Sequence, residues 1–193
     1  MKAGIMLSSI MALAAGRAWA DCGLQGDIDA ARLPKSPPAY AGEVLKASRE
    51  HLPGQGRQVQ IRAGLNIAMI GGQHYLLASR SNAGWRVERW VQGSARMSPD
   101  GGTPAAKVTR GRLSRSQGAK LDVMLGVACL WRFPPYLPNT LPLKGGQNVT
   151  CMDGANLVIE IRSIRRRWVG AQECQIQGAP GDIYNLLSQA QGL

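Results

Sequence analysis

The sequence predicts a mainly β protein, α+β at its margins: an antiparallel β-sandwich or barrel of about eight strands with an N-terminal and a short C-terminal helix. Three observations carry this expectation. Most segments after residue 57 alternate apolar and polar side chains at period two. Turn formers punctuate them at short intervals, as at Gly71-Gly72, "SNAG" (81–84) and Asp153-Gly154. No βα rhythm recurs, which argues against a nucleotide-binding α/β sheet.

The chain opens on what reads as a secretory signal peptide, residues 1–20. Lys2 supplies the positive start, Ile5 to Ala15 the apolar run, and Ala18-Trp19-Ala20 a small-x-small cleavage site. The run is too short to span a bilayer. Asp21, just before Cys22, is not the small neutral residue that lipoprotein processing takes. Cleavage near Ala20 leads us to expect a soluble chain, periplasmic or secreted. Residues 21–56 then form an N-terminal extension and helix, and 57–193 a single disulfide-stabilised β-rich domain.

Ser36, Pro37 and Pro38 predict a helix start, as N-cap and first-turn prolines. Tyr40, Val44, Ala47 and Leu52 form its inner face, and "LPGQG" (52–56) ends it. Val59 and Ile61 begin the strands. "LNIAMIGGQHYLLAS" (65–79) reads as two more, followed by "WRVERWV" (85–91) and the loop "MSPDGGTP" (97–104). "AKVTRGRLS" (106–114) and "AKLDVMLGVACLW" (119–131) follow as strands around a turn at Ser116-Gln117-Gly118. In the second, Leu121, Val123, Leu125, Val127, Cys129 and Trp131 share one parity and predict an apolar face. A proline-rich connection (133–146) interrupts the sheet, and "NVTC", "NLVIEIRS" and "RWVGAQECQI" complete it. A last helix is capped by Asp182, with Ile183, Leu186 and Leu187 inward.

The cysteines are four, Cys22, Cys129, Cys151 and Cys174. An even count in an exported chain predicts two disulfides, with the pairing open and no CxxC for redox or zinc chemistry. His51 and His74 are the only histidines, with no HxxH or HExxH spacing to suggest a metal. No GxSxG element or phosphate loop occurs. Asp100, Asp153 and Asp182 have turn or cap explanations, and nothing pairs Asp122, Glu160 or Glu173 for glycoside chemistry. No catalytic residue, cofactor or metal is therefore expected.

Charge is the remaining signal. The formal net charge is +11, and +9 once Lys2 and Arg17 leave with the first twenty residues. Such a balance favours anionic partners: anionic lipid, lipopolysaccharide, an acidic glycan or, less so, nucleic acid. "IRSIRRRWVG" (161–170) concentrates it. If Leu157–Arg162 is a strand and Ser163–Arg166 a turn, then Arg162, Arg165, Arg166 and Arg167 crowd a hairpin tip. Trp168 lies beside them, either in the core or stacked on a guanidinium. Arg110 and Arg112 share one strand face and form a second stripe. Arg86 and Arg89, on opposite parities, contribute less clearly. The leading expectation is a non-catalytic binding module. The alternatives are an envelope-protein interaction subunit using Phe133 and Tyr136 of the proline-rich segment, an inhibitor of a secreted enzyme, and an unrecognised hydrolase.

Overall fold

The computed structural model describes residue 24 and residues 26–54, 59–67, 72–93, 105–151, 154–173 and 177–193. The signal-peptide reading, Cys22, Gly71, the 97–104 loop, Asp153 and Cys174 fall outside the described residues.

Helix α1 spans Ala39–His51. Strands β1 (Gln60–Ile67), β2 (Gly72–Ser81), β3 (Gly84–Gln92) and β4 (Lys107–Arg112) follow as an antiparallel meander. Helix α2 (Arg115–Gly126) leads into β5 (Tyr136–Leu137) and the small β6–β7 pair (Thr140–Pro142 and Asn148–Thr150). The chain returns as β8 (Ala155–Arg162) and β9 (Arg167–Gln172), then ends in α3 (Gly178–Ser188). The main sheet has seven strands in the order β4-β3-β2-β1-β8-β9-β5, antiparallel except for the β5–β9 pair.

The fold is thus mainly β, as expected, but the sheet does not close into a barrel. Its two ends, β4 and β5, do not pair with each other. The second sheet has two short strands only, and helices lie against the large sheet. One face carries Ile61, Ala63, Leu76, Val87, Ile159, Ile161 and Trp168 and packs on α2, α3 and the Leu130–Leu137 segment. The other face lies under α1: Ala41 and Leu45 meet Val158 and Ala171, and Leu52 meets Tyr75, Leu77 and Trp90. Gly64 sits directly beneath the Val44 side chain, where a Cβ would collide with it. The polar parity of β1 is therefore buried as well, with Gln60 and Arg62 only 7% and 5% exposed.

Several expectations need correction. Residues 119–131 do not form a strand. Ser114 caps a helix there: its hydroxyl accepts from Gln117 N at 3.2 Å, while Gln117 Oε1 accepts from Ser114 N at 2.9 Å. This Ser-x-x-Gln capping box satisfies two otherwise orphaned donors and starts a helix that buries Leu121 and turns Val123 outward. Cys129 consequently lies in the turn after α2, beside the 3-10 segment Leu130–Arg132. Helix α1 begins at Ala39 with Pro38 as N-cap, not Ser36, because Pro38 stays extended rather than helical. Helix α3 starts at Gly178, so Asp182 is inside it and not its cap, although Ile183, Leu186 and Leu187 are buried as expected. The proline-rich segment is ordered by β5 and β6, with Phe133 and Leu137 in the core.

No described cysteine is a free thiol, Cys129 and Cys151 both being disulfide-bonded. With Cys22 and Cys174 outside the described residues, the pairing stays open. Among the described residues no helix is long and apolar enough to cross a membrane.

Candidate functional site

Strand register turns scattered basic residues into a pattern. Six neighbouring antiparallel strands each contribute one residue to a single transverse row on the α1 face. In sheet order these are Arg112, Arg86, Ser79, Gln60, Arg162 and Arg167. At about 4.8 Å between strands the row is roughly 24 Å long. The next row, two residues along each strand, reads Arg110, Glu88, Leu77, Arg62, Glu160 and Val169. The Arg110/Arg112 stripe and the arginine-rich hairpin therefore share one face and one end of the sheet, with Arg86 extending the stripe inward.

The two ends of the row are built differently. On the β4 side, Arg86, Arg110 and Arg112 line an open depression together with Gln191 and Gly192 of the C-terminal tail. The tail is fixed there because Arg112 and Gln191 exchange backbone hydrogen bonds, each 3.0 Å. Gly111 permits this approach, since a Cβ would meet the Gln191 carbonyl. Arg110 has one acidic neighbour, Glu88 at 3.6 Å, and its side chain remains 71% exposed. At such exposure the pair is weak.

On the β8–β9 side the guanidiniums surround one carboxylate. Glu160 is 2% exposed and accepts from Arg167 Nε at 2.7 Å, Arg49 Nη2 at 3.0 Å and Arg162 Nη2 at 3.2 Å. Beneath them the buried Arg62 Nη1 donates to Leu52 O at 2.7 Å and Ser48 O at 3.3 Å. It thereby satisfies carbonyls at the C-terminal end of α1, where a cation suits the helix dipole. Burial lowers the Arg62 pKa, Arg49 adds to this, and Glu160 opposes it. Burial alone raises that of Glu160. The hydrogen bond from Arg167 and the charge and hydrogen bond of Arg49 outweigh it, and the carboxyl is held below its ordinary value. Four guanidiniums around one carboxylate leave this corner with a formal charge of +3.

The turn beyond is the one the sequence implies. Ser163 N donates to Arg166 O at 2.8 Å, and Arg166 N donates to Ser163 Oγ at 3.0 Å. Arg165 and Arg166 are exposed at the tip, and between Arg162 and Arg165 stands Ile164, 85% exposed. Trp168 is not part of this surface. It is 8% exposed, its Nε1 donates to Phe133 O at 3.1 Å, and its ring meets Phe133 edge-on. The aromatic partner of the tip is Trp131, over which the Arg166 guanidinium lies at 5.8 Å.

The sequence reading missed Arg49 and Arg62, and gave Arg86 only an unclear part. The structure places Arg86 between Ser79 and Arg112, through the β2–β3 and β3–β4 registers. Arg49 carried no signal, since only the packing of α1 brings it to Glu160. His74 lies on the opposite sheet face, its pKa lowered by burial and then by Arg89. No group of ligating side chains suited to a metal occurs among the described residues. No protein-family model matches this chain, and neither the curated proteins nor the solved structures supply a significant match.

Proposed function

We propose that this chain is an exported, non-catalytic module that docks through its basic sheet face on an anionic envelope component, a phosphate-bearing lipid surface in the first place. The observation that carries the reading is the row: four arginines from four strands aligned on one face, with the tip arginines at its end. Spread over roughly 24 Å, these charges suit an extended anionic surface better than one small anion. Ile164 favours lipid over glycan or nucleic acid. An exposed aliphatic side chain flanked by arginines is poorly placed in water and well placed at a headgroup boundary. Phe133 and Leu137 of the proline-rich segment are buried in the core and Tyr136 is half-buried, so the observations give less support to a protein-interaction subunit.

The test is a salt titration of binding to cardiolipin vesicles, lipopolysaccharide, a polyanionic glycan and DNA. The comparison is between the wild type, Arg165→Glu/Arg166→Glu/Arg167→Glu and Ile164→Asp. Each arginine near an anionic membrane is worth about 1 kcal/mol, so the triple variant should lose at least a hundredfold in vesicle affinity. Ile164→Asp should weaken vesicles and leave DNA nearly untouched by comparison. Absence of binding to every anion at low salt would sink the reading.

A further inference from the structure

The same sheet face carries a second row with a different chemistry. At the end opposite the arginines, Gln92, Gln73, Asn66 and Asn156 occupy four neighbouring strands in register. Asparagine is disfavoured in strands, where β-branched and aromatic residues are enriched. Four consecutive carboxamides are therefore not explained by strand formation.

They are not explained by mutual pairing either. Stacked carboxamides can hydrogen-bond along a ladder. Among the described residues, the one side-chain bond to these four is Tyr75 Oη donating to Gln73 Oε1, at 3.4 Å. The side chains of Asn66, Asn156 and Gln92 find no partner among the described residues. Among the described residues, nothing occupies their donors and acceptors.

Three of these amides border a cleft of about 90 Å³ between the sheet and the first half of α1, with Tyr40 and Tyr75 beside them. Gly64 and Val158 of the sheet and Val44 of α1 also line it. The Tyr40 hydroxyl is already committed to Glu173 at 2.9 Å, which leaves its ring to the cleft. No Asp, Glu, His, Lys or Arg is among the residues lining this cleft, so charge does not select what enters. A carboxamide presents one acceptor and a two-proton donor side by side. That is the complement of a vicinal diol, in which every hydroxyl both donates and accepts. Tyrosine rings offer an apolar face with a polar rim, suited to the C–H face of a sugar.

From this placement we propose that the amide row and its cleft form a binding site for a neutral saccharide, one ring edge entering the cleft and further units following the row across the strands. Spacing supports the second part, since neighbouring amides stand about 4.8 Å apart, comparable to the repeat of an extended pyranose chain. The site is separate from the arginine row, with α1 lying between them, and does not depend on it.

The test titrates the purified protein with neutral oligosaccharides of glucose, mannose and N-acetylglucosamine, read by amide chemical shifts and calorimetry. Salt at about 0.3 M screens the arginine end, and neutral tetrapeptides serve as the competing class. Saturable binding of at least one saccharide is expected. Asn66→Ala and Gln73→Ala should each weaken it about fivefold to tenfold, with unchanged far-UV spectra, because each removes an exposed hydrogen-bonding group. The triple arginine variant should leave it unchanged. The proposal fails if no saccharide saturates up to about 10 mM. It fails equally if binding ignores both amide substitutions, or if the peptides bind and the saccharides do not.

Discussion

The two ends of the α1 face are made from the same strands and differ in almost everything else. One end reads Arg112, Arg86, Ser79, Gln60, Arg162, Arg167; the other reads Gln92, Gln73, Asn66, Asn156. Between them lies the apolar patch on which α1 sits, with Tyr75, Leu77, Trp90 and Val158. Chemistry on this face is sorted across the strands, row by row, and not along any one of them. An antiparallel register brings residues far apart in sequence into one line, and side chains two apart on a strand share a face. A charged row costs repulsion and must be offset by a counter-charge or a partner. A neutral amide row costs only strand propensity. The first end therefore contains a buried carboxylate and the second needs none.

The strongest way to break this contrast is to remove that carboxylate. Glu160→Ala leaves Arg49, Arg162 and Arg167 without their shared acceptor, over the buried Arg62. Breaking a buried ion pair from one side costs about 3–5 kcal/mol, and the half-exposed arginines can re-solvate, so about 3 kcal/mol is expected. Denaturant titration measures it. The pH dependence follows from the depressed carboxyl. A group whose folded pKa lies below its unfolded value contributes its full stability above the unfolded value. That contribution is lost as pH falls through the folded pKa. Wild-type stability should therefore decline on acidification below the ordinary carboxylate range, and Glu160→Gln should flatten that part of the profile. An equally steep acid limb in Glu160→Gln would assign it to another group.

A sharper contrast comes from salt. Arg86→Gln/Arg112→Gln removes two charges from the row without touching Glu160. Vesicle affinity should fall by about 1 kcal/mol per arginine, with a shallower salt dependence. Asn66→Ala, on the same face, should leave the salt slope where it was. Equal slopes for the arginine variant and the wild type would show that the β4 side of the row takes no part in docking.

The molecule was partly legible in its sequence, and the boundary has physical causes. Strands β1, β3, β4, β8 and β9 fall within segments expected as strands, because short turns and a period of two leave little choice there. The tip was legible for the same reason: "SIRR" has to reverse the chain between two strands. Trp168 was ambiguous, since both faces of its strand are covered, one by α1 and the other by the larger core, and only packing decides which side each residue meets. The rows were not legible at all. Whether Arg86 neighbours Arg112, or Asn66 neighbours Asn156, depends on strand order, and β8 inserting beside β1 is a long-range choice. Glu160 looked like an outward residue because its face is the polar parity of β8; α1, arriving from over a hundred residues upstream, buries it.

The segment read least well was 115–126, where two local signals conflict. Leu121, Val123 and Leu125 alternate as a strand would, whereas Ser114 and Gln117 stand at capping-box spacing. The helix wins because Lys120, Leu121, Met124 and Leu125 are good helix formers and the box anchors its first turn. Ser114→Ala should accordingly cost about 1 kcal/mol, seen as a lower midpoint in thermal or chemical unfolding. Val123→Lys separates the two readings most cleanly although its effect is the smallest. On the strand reading Val123 is a core residue, and replacing it forfeits about 1.5–3 kcal/mol. On the helix reading it is 68% exposed, and lysine, a good helix former on an open face, changes stability by less than about 0.5 kcal/mol. An unchanged unfolding midpoint supports the helix; a loss of the larger size would return residues 119–127 to the sheet.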